Sequence, residues 1–135
     1  MKGEFMLRRA KKSDIGQILK LIQIASRRGK VLPRSKIEIQ KVLQSFFVYE
    51  KQGETVGCIS LEIYNKKLAE IRSLIVDEKF QGEGIGTKLV QACLKKAKKH
   101  QIYEVLSITD KDDFFSKFGF EKCLNGQWPM FIKLA

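Results

Sequence analysis

Cysteine and histidine are scarce in this 135-residue chain, where Cys58, Cys93 and Cys123 stand far apart and His100 is the single histidine. An odd, scattered set of thiols offers no disulfide framework, and with one imidazole there is no metal-ligand spacing, so reduced, mostly buried thiols and no metal are expected. Long apolar runs are missing too. No stretch approaches the ~20 residues of a membrane span, and the opening MKGEFMLRRAKKSD lacks the apolar centre of a secretory signal, which points to a cytoplasmic protein with no membrane attachment. There are no repeats and no low-complexity tracts. With 44% hydrophobic residues the length suits one core, and residues 1–135 are read as a single domain.

Acidic residues are few relative to basic ones, 15 against 26, for a formal charge of +11. Such an excess suits nucleic acid, an acidic surface or an anionic cofactor. The lysines are spread, however, as in Lys95, Lys96, Lys98 and Lys99, with no aromatic-flanked RNA motif and no recognition-helix pattern. A solvated basic surface is expected, and no specific nucleic-acid partner.

What the chain does have is the stretch 74–100, LIVDEKFQGEGIGTKLVQACLKKAKKH, which reads as a strand end, a glycine-rich turn and a helix. Gly82, Gly84 and Gly86 let backbone N–H groups approach a bulky ligand. Ile85, Leu89, Cys93 and Ala97 then fall four apart, with Val90 and Leu94 beside them, while Lys88, Gln91, Lys95 and Lys99 take the other side. The turn and the helix N-terminus together suit a phosphate or pyrophosphate. A P-loop is excluded because Thr87 precedes Lys88, the reverse of the required order. A dinucleotide fingerprint is excluded because Leu89 stands where the third glycine belongs.

Before this stretch, residues 5–10 read as a strand. A helix capped by Ser13 or Asp14 follows, with Ile15, Ile18, Leu19, Ile22 and Ala25 at helical spacing as far as Arg28-Gly29. Ser35 and Glu38 form a capping box for a second helix, with Ile37, Val42 and Phe46 as its apolar side. Strands are predicted at 46–51 and 54–64, joined by Gln52-Gly53, and at 67–77. In the last two, Gly57, Ile59, Leu61 and Ile63 alternate with polar residues, and Ala69, Ile71, Ser73 and Ile75 alternate with Glu70 and Arg72. Matching the apolar faces sets Glu62 opposite Glu70 and Ser60 opposite Arg72. Two adjacent carboxylates raise the pKa of one, as a general base or a cation site requires, and Glu70 and Glu62 are the candidate catalytic pair. After the long helix, Tyr103 to Ile108 is read as a strand parallel to 67–77. Asp112 or Asp113 caps a short helix, FFSKF. A final hairpin, 120–124 and 127–134 about Asn125-Gly126, assigns Trp128, Met130 and Phe131 to the core, with a homodimer surface as the alternative.

The spacing of Gln81, Gly84 and Gly86, QxxGxG, resembles the acetyl-CoA-binding signature of the GNAT acyltransferase superfamily, and the order of elements is similar along the whole chain. The resemblance implies an α+β, three-layer α/β/α fold: a mixed, mostly antiparallel sheet of about six or seven strands, about four helices and a splayed, parallel central strand pair. It implies that acetyl-CoA is a cosubstrate, that the backbone of Leu74, Ile75 and Val76 binds the acetyl and pantetheine portions, and that Gln81, Gly82, Glu83, Gly84, Ile85, Gly86 and Thr87 wrap the pyrophosphate. Phe115 falls at the cofactor-side position where many members carry a tyrosine acid. LPRS (32–35), LAEIRSLIV (68–76), QGEGIG (81–86) and FFSKFGF (114–120) are similar to the short N-acetylglutamate synthase-like amino-acid acetyltransferases. This implies a small-molecule amine acceptor such as glutamate or glutamine, with Arg34 and Arg72 as carboxylate anchors. The alternatives are a protein or peptide N-acetyltransferase and a non-catalytic acyl-CoA-binding module.

Overall fold

The computed structural model describes residues 4–135. Five strands, β1 (Phe5–Arg9), β2 (Phe46–Lys51), β3 (Glu54–Ile63), β4 (Leu68–Val76) and β5 (Glu104–Ser107), lie in one sheet in chain order. The first four are antiparallel, and β5 is parallel to β4. Among the described residues the α-helices are α1 (Ile15–Arg27), α2 (Lys36–Lys41), α3 (Ile85–Lys99) and α4 (Asp112–Ser116). The mixed α+β architecture is as expected, but among the described residues the sheet has five strands rather than six or seven.

Two apolar layers flank the sheet. Ile15, Ile18, Leu21, Ile22 and Ala25 of α1 and Ile39 of α2 pack with Phe46, Val48, Cys58 and Ile75 on one side. Ile85, Leu89, Val90, Cys93 and Ala97 of α3 and Phe115 of α4 pack with Val56, Ile59, Leu61, Ala69 and Ile71 on the other. A Cβ on Gly57 would stand 3.3 Å from the Ile75 carbonyl and from the Ile85 and Leu89 side chains, so α3 lies against β3 as closely as a glycine permits. Among the described residues no helix is long and apolar enough to cross a membrane.

Local signals hold where their partners are close in sequence. Ser35 accepts from the Glu38 amide and Glu38 from the Ser35 amide, the expected capping box. Gln52 and Gly53 both take positive φ, as a two-residue turn between β2 and β3 requires. Elsewhere the details change. Asp14 does not cap α1 through its side chain; its carboxylate instead accepts from Arg8 at 2.7 and 3.0 Å and from the Lys11 amide at 2.8 Å, tying β1 to the first helix. In α2 the buried residue is Ile39, and Ile37 is exposed. Asp112 and Asp113 lie inside the first turn of α4 rather than at its cap, which is Lys111.

The predicted C-terminal hairpin forms only at its turn. Asn125 and Gly126 adopt positive φ, and Leu124 and Gln127 exchange both backbone hydrogen bonds, but no strand extends from this bridge. Trp128, Met130 and Phe131 are therefore exposed, not core. An Asn-Gly turn reverses the chain, but strands need a ladder partner to persist.

Candidate active site

The middle of β4 is irregular, and the irregularity opens the sheet. Between the pairs Cys58–Ile75 and Ser60–Arg72, β3 contributes Ile59 and β4 contributes both Ser73 and Leu74, a β-bulge. Ser73 sits at φ 55, a conformation costing on the order of 1–3 kcal/mol for a non-glycine residue and typical of functional sites. The extra residue inverts the side-chain alternation. Ala69 and Ile71 face α3, whereas beyond the bulge Ile75 joins the α1 layer and Leu74 and Val76 turn towards α3. The regular alternation expected through Ser73 and Ile75 is thus broken at Ser73. Furthermore, β5 pairs with β4 only from Leu68 to Ile71. Past that point the parallel strands part: Ile75 and Val76 have a ladder partner on the β3 side only, and Leu74, within the bulge, has none, which leaves backbone hydrogen-bonding groups for a ligand.

The glycine turn lies at the end of this open stretch. Gln81 Nε2 donates to the Val76 carbonyl at 2.9 Å, joining the turn to β4. Lys51 Nζ holds Glu83 at 2.8 Å. Gly82 and Gly84 take φ 84 and 81, and space is open around both Cα atoms, while Gly84 caps α3. The amides of Ile85, Gly86 and Thr87 belong to the first turn of a 15-residue helix, where they lack intrahelical acceptors and the dipole is positive. These residues fit a pyrophosphate. The Phe114 ring lies 3.6 Å from where a Gly86 Cβ would be, whereas Phe115 is buried and packs edge-on against Phe114 and Phe120. Phe114, not Phe115, is therefore the α4 residue beside the turn. Replacing Gly84 with alanine imposes about 1–2 kcal/mol of left-handed strain. Relaxation of the turn is expected to weaken acetyl-CoA roughly tenfold, measured by titration calorimetry.

The polar face of β3 and β4 carries the remaining predicted residues. Glu62 and Glu70 face each other in register, as do Ser60 and Arg72. Glu62 is almost enclosed: Arg34 Nη1 donates to its Oε2 at 2.7 Å, Ser60 Oγ to the same oxygen at 2.9 Å, and Arg72 Nη1 to Oε1 at 3.3 Å. Burial opposes its ionisation, but the hydrogen bonds from Arg34 and Ser60 and both guanidinium charges together hold its carboxyl below the usual carboxylate range. The expected rise from carboxylate pairing does not occur at Glu62, because cations outnumber its like-charged neighbour.

Arg34 comes from the loop between α1 and α2, and its side chain is 4% exposed. Nη1 also reaches Ser73 Oγ at 3.4 Å, and Nε has no acceptor among the described residues. The carboxylate it grips here is Glu62. Arg34 also lines a recess of about 250 Å³ with Ile22, Gln23, Ser26, Arg27 and Pro33, apart from Glu70 and Arg72. Glu70 is half-buried and accepts from the Tyr64 hydroxyl at 2.6 Å. Burial and then the Glu70 carboxylate push the Tyr64 hydroxyl up to about 12, so it stays protonated. Arg72 is partly exposed, and its hydrogen bond to Glu62 occupies one donor. Ser73, Tyr64 and Phe114 were not singled out from sequence. The first lies in an unbroken alternation, and the other two gain their significance from neighbours in space.

The chain as a whole is matched by known proteins. The Acetyltransferase (GNAT) family model covers residues 17–120. The chain belongs to the GNAT acetyltransferase family. An uncharacterised N-acetyltransferase of Chlorobaculum tepidum is 32% identical over 93% of this chain and 81% of the relative. An amino-acid acetyltransferase of Mycobacterium tuberculosis is 33% identical over 85% of this chain and 67% of its own length. The crystal structure of a Mycobacterium tuberculosis protein in complex with CoA and NLQ superposes with a TM-score of 0.84 at 30% identity, covering 88% of this chain and 73% of that one. The GNAT acetyltransferase described here uses acetyl-CoA as its cosubstrate, and the turn at 81–87 is the part of the fold suited to its pyrophosphate.

Proposed function

We propose that this GNAT enzyme acetylates the α-amino group of a small, carboxylate-bearing amino acid such as glutamate or glutamine, with Glu70 as the base. The observation carrying this reading is the grouping, at one face of β3 and β4, of a half-buried carboxylate, Glu70, with two arginines, Arg34 and Arg72, that share a second carboxylate, Glu62. Acetyl-CoA supplies an electrophilic thioester carbonyl. Backbone amides of the β4 stretch Leu74 to Val76, beyond the end of its pairing with β5, face the charge that develops on that carbonyl's oxygen. Glu70 takes the proton from the attacking amine, directly or through one water. An α-amine of pKa near 8 costs about 1.4 kcal/mol to deprotonate at pH 7, against about 4.6 for a lysine, which suits a solvent-accessible base.

Arg72, with donors to spare, holds the acceptor's carboxylate, and Arg34, buried against Glu62, supports it through that shared carboxylate. Glu62 orients both guanidinium groups. The resemblance to an amino-acid acetyltransferase supports the same class. Location in the cytoplasm follows for an enzyme that draws on metabolic acetyl-CoA.

Free-thiol release from acetyl-CoA, measured against a panel of amino acids, lysine and N-terminal peptides, tests the proposal. Turnover is expected with acidic or amide amino acids, falling at least tenfold in kcat/KM for Arg72→Met, one charge-assisted hydrogen bond's worth. Turnover confined to peptides would replace this reading with the peptide acetyltransferase.

A further inference from the structure

We propose that Lys51 is a positioning residue for cosubstrate binding: it holds the Glu83 carboxylate away from the uncapped N-terminus of α3, so that the amides there stay open to an anion. The inference rests on the reading of the turn at 81–87 as the seat of the pyrophosphate. It starts from an oddity of composition. Glu83 is the one acidic residue in QGEGIGT, and it stands in a turn suited to holding a negative charge.

Glu83 adjoins Gly84, the N-cap of α3, and no side chain caps that helix. The first-turn amides therefore have no side-chain acceptor. A carboxylate one residue before the cap is drawn by the same free N–H groups and the same dipole, which makes it an internal competitor for the ligand's phosphates. It also repels them. At roughly 6 Å, in a dielectric between those of water and the protein surface, one like charge changes an anion's affinity on the order of tenfold.

The fold draws that carboxylate aside. Lys51, the last residue of β2, brings Nζ to 2.8 Å from Glu83 Oε1 and to 5.2 Å from the centre of the Phe80 ring. Glu54 is directly opposite Lys51 in the β2–β3 ladder, yet the ion pair is made with Glu83. The two carboxylates leading into the turn are occupied as well: Asp77 accepts from the Lys79 amide at 3.0 Å, and Glu78 pairs with Arg28. With side chains 26% and 44% exposed, Lys51 and Glu83 add little to stability. What the pair fixes is where the charge sits.

Calorimetric titration of acetyl-CoA into Lys51→Met, Glu83→Gln, the double variant and Gly84→Ala tests the proposal, with urea unfolding as the control for stability. Lys51→Met is expected to raise Kd about five- to tenfold in ~50 mM salt, to lose most of that deficit in ~0.5 M salt, and to unfold at the wild-type midpoint. The double variant should return to within about twofold of wild type, because no carboxylate is left to compete, and Glu83→Gln alone should bind at least as tightly as wild type. An unchanged affinity in Lys51→Met overturns the proposal. So does a double variant as weak as Lys51→Met, which would put Lys51 on the cosubstrate itself. If Gly84→Ala binds as wild type does, the reading of the turn fails and this inference with it; a weakened Gly84→Ala beside an unchanged Lys51→Met removes the inference alone.

Discussion

Replacing Glu62 with alanine is expected to destabilise the fold by about 3–5 kcal/mol, because it leaves the enclosed Arg34 guanidinium without its counter-charge. Arg34 is 4% exposed at its side chain, already has one nitrogen without an acceptor, and would retain only Ser73 Oγ at 3.4 Å. Removing the cation should cost less: in Arg34→Met, Glu62 keeps Ser60 and Arg72. The double variant Arg34→Met, Glu62→Leu should recover much of the loss, since an apolar pair asks for no desolvation of charge. Urea unfolding followed by circular dichroism measures all three. A loss below about 1 kcal/mol for Glu62→Ala would mean that water reaches Arg34 and the pair is not structural. The pH dependence has a definite sign. The Glu62 carboxyl lies below its ordinary value in the folded protein, so its contribution is complete above the unfolded carboxylate pKa of about 4.3 and disappears as pH falls through the lower, folded one. The stability gap between wild type and Glu62→Gln should therefore close in acid.

Turnover by Glu70→Gln is expected to fall by about 10²–10⁴-fold with acetyl-CoA affinity unchanged. The amide preserves the shape of Glu70 and still accepts from the Tyr64 hydroxyl, so the change removes basicity and little else. The glycine turn that suits the cosubstrate lies beyond the other end of β4, which predicts that binding and chemistry separate in the variant. The deficit should narrow as pH rises past about 8, where an α-amine sheds its proton to solvent and needs the base less. Free-thiol release across pH, combined with calorimetric titration of acetyl-CoA, reads both quantities. Turnover within about threefold of wild type would dismiss Glu70 as the base, since one pKa unit of missing assistance already amounts to tenfold.

The distribution of what could be read in advance follows the range of the interactions. Helices α1 and α3 declare themselves because each places apolar residues three and four apart, a property of one short segment. The turn at Gln52-Gly53 and the box at Ser35 and Glu38 are equally local. The pairing of Glu62 with Glu70 was legible too, since the two strands are consecutive and a slip by one residue would turn every apolar side chain outward. So was the glycine turn, whose backbone demands leave a mark on residue type.

The site's chemistry was less visible. Arg34 and Glu62 are 28 residues apart, and no pattern in either segment announces that they meet or that Glu62 is drawn down by two arginines rather than raised by Glu70. Ser73 conforms to a regular alternation, yet the departure of β5 from β4 and the packing on both faces place an extra residue there and turn Ile75 over. Asn125-Gly126 bends the chain as its composition requires, whereas no strand extends from the bridge beside it. Periodicity and backbone preference act within a few residues and are written directly in the chain; ion pairing, bulge position and strand persistence depend on which distant groups arrive alongside, and that depends on the packed sheet.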